Sequence, residues 1–194
     1  MSTKLLVLCG TVLLSAAIPH TSSAQVFVGG NVDWSHYTYP GNFGLGSETE
    51  DIFSFGGYYL SPGLRLGYLF AGGALVASAD AGVQVEHGEA IGEYTNFIVE
   101  PALAYAFSSD HPTSPYVGVA AGWHHLNFGQ ALGGAFTRPL VGGFLGVRHR
   151  VSAGHGMIRA EFRYDHFTEQ NTSFFVLPKD MVGVRLGFDL LLGH

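Results

Sequence analysis

Residues 181–190 read MVGVRLGFDL, and their alternation decides the fold. One face carries Val182, Val184, Leu186, Phe188 and Leu190, and the other carries Met181, Gly183, Arg185, Gly187 and Asp189. A period of two places successive side chains on opposite sides of an extended chain, so this segment is a strand with one apolar face and one face of charge and glycine. The segment before it repeats the pattern. Ile158, Ala160, Phe162 and Tyr164 alternate with Arg159, Glu161, Arg163 and Asp165. Four successive charges on one face must either meet water or pair with one another.

Working backwards, the same rhythm with turn residues between repeats predicts strands over 26–35, 58–69, 74–86, 94–107, 116–126 and 140–151. Their apolar faces include Val28, Val32 and Trp34, then Leu64, Leu66 and Tyr68, and later Phe97, Leu103, Val119, Trp123, Leu145 and Val147. The opposite faces collect the charge. Six of the seven arginines (Arg65, Arg148, Arg150, Arg159, Arg163, Arg185) share the polar face with Asp33, Asp80, Glu86, Glu100, Glu161, Asp165 and Asp189. This set is nearly neutral. It suits the inside of an eight-stranded barrel, whose interior is just wide enough to be filled by side chains. The expected fold is all-β: an eight-stranded antiparallel up-and-down transmembrane β-barrel with the apolar face outward and an Arg/Asp/Glu network in the lumen.

The start of the chain reads as an export signal. Lys4 precedes an apolar run from Leu5 to Ile18, shorter than the roughly 20 residues a helix needs to cross a bilayer, and Ser22-Ser23-Ala24 supplies small residues for cleavage. The expected organisation is a signal peptide over 1–24 and one barrel domain over 25–194. Without the signal the chain keeps eight basic residues against fifteen acidic ones and loses Cys9, its single cysteine. That excludes a disulfide scaffold and a thiol nucleophile, and an acidic chain with one lysine left is a poor partner for nucleic acid.

Connections alternate in length. Short links fall near 70–73, 108–115 and 152–155, whereas 37–57, 127–139 and 167–180 are longer, the link near 87–93 being short on the long side. Short periplasmic turns and long extracellular loops are usual for barrels that cross a membrane, which puts both termini on the periplasmic side of a bacterial outer membrane.

The phrases VFVGG (26–30), LSPGLRLGY (60–68), PYVGVAAG (115–122) and VRLGF (184–188) resemble the small outer-membrane barrel family that includes the transmembrane domain of OmpA-like proteins and the OmpX and opacity-type porin-like proteins. The likeness spans essentially the whole exported chain. It implies contact with outer-membrane lipid and lipopolysaccharide, handling by the barrel insertion machinery, and a cell-surface role. Members usually close on an aromatic residue, whereas six residues follow Phe188 here. The lipid A deacylases of similar shape use a His-x-Ser pair; His125-Leu126-Asn127 has Asn in place of the nucleophile, so no enzyme is expected.

Histidines mark one rim. His36, His87, His125 and His166 continue the outward face at the extracellular ends of alternate strands, with Trp34, Trp123 and Tyr164 nearby. Outward side chains on alternate strands stand about 10 Å apart, too far for metal bonds of about 2.1 Å. An interfacial girdle is expected, with no metal and no cofactor. The loops on that side hold Glu48, Glu50, Asp51, Glu89, Glu93, Glu169 and Asp180 against Arg138 and Lys179, an acidic surface. The functional expectation is therefore a structural or surface-interaction barrel that meets an extracellular partner through loops 37–57, 127–139 and 167–180. The alternatives are a narrow channel for small solutes, and a soluble exported barrel holding an apolar ligand among Val32, Leu66, Val119 and Phe162.

Overall fold

The structure is a computed structural model and describes residues 24–38, 49–55, 63–88, 92–127, 134–151, 155–168 and 179–192. Among the described residues nine strands follow in order: β1 Gln25–Thr38, β2 Thr49–Phe55, β3 Leu64–Phe70, β4 Leu75–Gly88, β5 Gly92–Ala106, β6 Thr113–Asn127, β7 Ala135–Val151, β8 Gly156–Phe167 and β9 Asp180–Leu192. Each pairs antiparallel with its neighbour, and β1 pairs with β9 from Val26↔Leu192 to Thr38↔Asp180, which closes the sheet. Closure leaves no free edge along that seam.

Nine strands fill eight positions, because β2 and β3 lie end to end against β1. The first pairs over Val32↔Phe55 to Thr38↔Thr49, the second over Gln25↔Leu69 to Gly30↔Leu64. Asn31 N–H donates to the Gly63 carbonyl at the junction. The result is an eight-stranded, all-antiparallel, up-and-down barrel, as the alternation requires. Two expected loops are shorter than the sequence suggests. Thr49–Phe55 is strand inside 37–57, and β7 begins at Ala135, inside 127–139. Both are strand because a partner extends far enough to pair with them: β1 reaches Thr38, and β6 reaches Asn127, opposite Ala135.

The alternation resolves into inside and outside. In β9 every second residue from Met181 is buried and every other one exposed, and β6 and β8 show the same pattern. Leu66, Val119 and Phe162 are half exposed or more on the outer surface. That placement rules out the soluble alternative, which needs them inside. At one end the chain turns tightly: Gly72 and Gly73 adopt φ of 66° and 90°, a region that favours residues lacking Cβ, between β3 and β4. This turn, the one at 107–112 and His155 share a rim with the start of β1 and the end of β9, where Leu191 N–H donates to the His155 carbonyl at 2.9 Å. The end of β1 and the start of β9 lie at the opposite rim, paired at Thr38↔Asp180.

Inward glycine makes room for bulky neighbours. A Cβ on Gly118 would overlap the Phe144 ring and approach the Leu103 carbonyl oxygen to 2.8 Å, while a Cβ on outward Gly143 meets only the Gly118 oxygen at 3.6 Å. Gly118→Ala is therefore expected to lower detergent-phase stability by about 1–3 kcal/mol, the usual cost of overpacking, and Gly143→Ala to leave it nearly unchanged. Thermal unfolding followed by heat-modifiable gel mobility checks both.

Candidate functional site

The lumen is the built site, and strand parity makes it. β1 contributes Asn31 and Asp33, β3 Arg65, β4 Asp80, β5 Glu100, β8 Arg159, Glu161, Arg163 and Asp165, and β9 Arg185 and Asp189, all buried. Arg185 Nε donates to Asp33 Oδ1 at 2.6 Å and Nη1 to Glu100 Oε2 at 3.3 Å, with Asp80 Oδ2 at 3.6 Å. Arg163 Nη2 donates to the same Glu100 oxygen at 3.1 Å and to Asp165 Oδ1 at 3.2 Å. Arg65 Nη1 bridges Asp80 at 3.5 Å and Glu161 at 3.4 Å. Arg159 Nη1 reaches Glu161 Oε1 at 2.8 Å, its Nε reaches Asp189 Oδ2 at 3.1 Å, and its Nη2 donates to Asn31 Oδ1. Two neutral donors complete the set: Tyr116 O–H to Glu161 at 2.6 Å and Asn31 Nδ2 to Asp80 at 3.3 Å.

Ten of the thirteen charges expected in the lumen thus share one network of four arginines and six carboxylates. Desolvated charges persist inside a protein when each is paired and hydrogen-bonded, which this arrangement provides. Glu86 lies in β4, but its side chain falls outside the described residues. Arg148 and Arg150 are the corrections. They are inward, yet neither meets a carboxylate among the described residues. Arg148 stands opposite Arg159 in the β7–β8 ladder, an unfavourable like-charge pair. The two diverge: Arg159 turns to the acids, and Arg148 Nη2 donates to the Gly73 carbonyl.

Alternation of charge did not reveal two further layers. On the turn side of the network, Phe27, Leu69, Val76, Ala104, Ala106, Tyr116, Phe144 and Leu191 pack into an apolar cluster inside the barrel. On the loop side, buried His124 pairs through Nε2 with Asn96 Oδ1 at 2.7 Å and accepts at Nδ1 from Arg138 Nε at 3.1 Å. Arg138 is 1% exposed, its guanidinium 3.9 Å from the Phe167 ring centre, so it is not the loop cation the sequence suggested. The longer β7 explains this. Arg138 shares inward parity with Arg148 and Arg150, a signal that extending the strand would have exposed.

On the outer surface Trp34, Trp123 and Tyr164 are about half exposed, at 48%, 56% and 47%, and His36, His125 and His166 continue their faces. His125 Nδ1 bonds Thr137 Oγ1 at 2.7 Å; His166 Nδ1 and the Tyr164 hydroxyl both meet Asp180 Oδ1, at 2.8 and 2.7 Å. His87 falls in β4, its side chain outside the described residues. Aromatic rings also mark the turn-side rim, where Tyr68 stacks on Phe70 at 5.6 Å and Tyr105 meets Phe107 edge-on at 5.1 Å.

A closed eight-strand wall, apolar outside and ion-paired inside, invites comparison with solved barrels. Neisserial surface protein A (NspA) superposes with a TM-score of 0.55 over 87% of this chain and 98% of its own, at 19% sequence identity. The chain has the fold of the small eight-stranded outer-membrane barrels. Ail, the attachment invasion locus protein of Yersinia pestis, solved with the heparin analogue sucrose octasulfate, aligns over 88% of this chain and 99% of its own at 12% identity and a TM-score of 0.48. A major outer membrane protein from Thermus thermophilus aligns over 88% of this chain and 100% of its own, at 13% identity and a TM-score of 0.42. No protein-family model and no curated protein matches the sequence. At such identities the likeness defines the architecture alone.

Arg163 holds Glu100 and Asp165 and lies near Glu161. Arg163→Leu is expected to cost about 3–5 kcal/mol, as breaking a buried pair does when the other charge stays behind. Urea unfolding of the refolded barrel in vesicles measures it, with Arg150→Leu, which breaks no ion pair, as the insensitive control.

Proposed function

We propose that the chain is an outer-membrane barrel with a structural or surface-interaction role, carried by its long loops. The outward apolar band between two aromatic rims carries this reading. Along β5 and the residue that follows it the exposed rings run from Phe97 to Phe107, ten residues apart. At about 3.4 Å per residue and a tilt of about 40° that projects to about 26 Å, the height of the apolar band such barrels present to hydrocarbon. On this reading the short-turn rim is periplasmic, the long-loop rim extracellular, residues 1–24 are the export signal, and the outward rings sit against lipid and lipopolysaccharide headgroups after delivery by the insertion machinery.

The filling of the lumen supports this role over the conduit. Among the described residues an ionic layer is followed by an apolar one, and ion passage through hydrocarbon-like packing is costly. No catalysis is assigned. The loops 37–57, 127–139 and 167–180 then meet the extracellular partner, and their acidic residues favour basic partners or divalent cations over anionic ones.

Fractionation tests the location: the expected product loses 24 residues by mass and runs as a heat-modifiable band from the outer-membrane fraction. A soluble periplasmic product would overturn it. In planar bilayers the purified barrel is expected to give at most rare, small openings, and steady conductance would shift the assignment to the channel.

A further inference from the structure

Arg148 and Arg150, two lumen arginines outside the ion-pair network, lie together at the short-turn mouth. Arg148 is 3% exposed, and its Nη1 is buried without a hydrogen-bond partner. Its Nη2 donates to the Gly73 carbonyl, and Arg150 Nη2 donates to the Gly72 carbonyl at 3.4 Å. Both guanidinium groups converge on one point: the space a Cβ on Gly73 would occupy is bounded by Arg150 Nη2 and, at 3.5 Å, by Arg148 Nη2. The backbone fixes this arrangement, since Arg150 N–H donates to the Pro112 carbonyl at 2.8 Å and ties the end of β7 to the neighbouring turn.

Two guanidinium charges so close repel one another, and two carbonyl oxygens offset that only in part. The acids nearby are engaged elsewhere. Asp189, two strands from Arg150 in the ladder, is held by Arg159 at 3.1 Å, and exposed Asp110 lies 3.8 Å from His111.

We infer that Arg148 and Arg150 form an anion site at the short-turn mouth of the lumen, selective for a small doubly charged oxyanion of the phosphate type. Two guanidinium forks present paired N–H donors at the spacing of oxyanion oxygens, which a lysine pair would not. Half-buried Arg150 is the entry side, and the apolar layer around Leu69, Val76 and Leu191 stops the ion from going deeper. The site faces the lumen, not the outer surface, so the ligand is a free ion.

Inorganic phosphate is the probe. Titrated calorimetrically into the full barrel refolded in nonionic detergent, with chloride holding ionic strength constant, it is expected to bind saturably at one ion per barrel. Arg150→Gln and Arg148→Gln are each expected to weaken binding at least tenfold, while Lys179→Gln, which removes an exposed cation on the opposite rim, leaves it unchanged. Heat-modifiable mobility confirms that each variant is folded; should Arg148→Gln fail to fold, Arg150→Gln decides alone. Absence of saturable binding to the parent, or equal affinity in folded Arg150→Gln, overturns the site.

Discussion

Arg185 joins β9 to β1, β4 and β5 through Asp33, Asp80 and Glu100, and much of the lumen is organised around that contact. A guanidinium buried to 1% exposure tolerates no loss among its partners, so the strands facing it have little freedom to slip. A one-residue shift of β9 would turn Arg185 outward and put Leu186 in its place. Register, which an isolated hairpin leaves loose, is therefore fixed from the inside. The inward glycines follow from the same constraint. Gly187 leaves space for the Arg159 guanidinium and Gly142 for the Asp165 carboxylate.

Most of this architecture is legible in the amino-acid order because a barrel wall is periodic and its two faces differ in polarity. Residues 158–165 and 181–190 show the two faces of a strand by themselves, and the near-neutral sum of charges over all the strands says which face turns inward. What could not be read is what depends on the partner strand. The piece Thr49–Phe55 has no clear alternation of its own and is strand because β1 reaches Thr38 beside it. Arg138 reads as a loop cation unless β7 extends past it, as it does. The apolar lumen layer escapes the sequence for another reason: Phe27, Leu69 and Leu191 sit on faces read as polar, and only barrel closure makes them neighbours. Charge on a face suggested an ion pair in every case. Arg148 and Arg150 show that parity identifies the compartment of a side chain but not its partner.

The lumen divides into layers with different physical demands. The ionic layer is rich in direction-dependent bonds and specifies geometry, whereas the apolar layer excludes water and supplies packing. The loop-side cluster of His124, Asn96, Arg138 and Phe167 combines the two, a polar chain capped by a ring beneath a cation. The stacked order explains how so narrow a tube holds this many buried charges.

The seam between β1 and β9 has a kinetic consequence. Asp33 and Arg185 lie 152 residues apart in the chain, and the hydrogen bonds between the two strands span similar distances. Contacts of such separation form late, since the loop entropy they close is lost before they return anything. Until the last strand docks, Asp33 lacks its guanidinium and Arg185 lacks all of its carboxylates. If the barrel crosses a lipid bilayer as proposed, a half-assembled sheet would carry these charges into hydrocarbon unpaired, so insertion strand by strand is disfavoured, and the chain has reason to gather its strands at the membrane surface and cross in one concerted step.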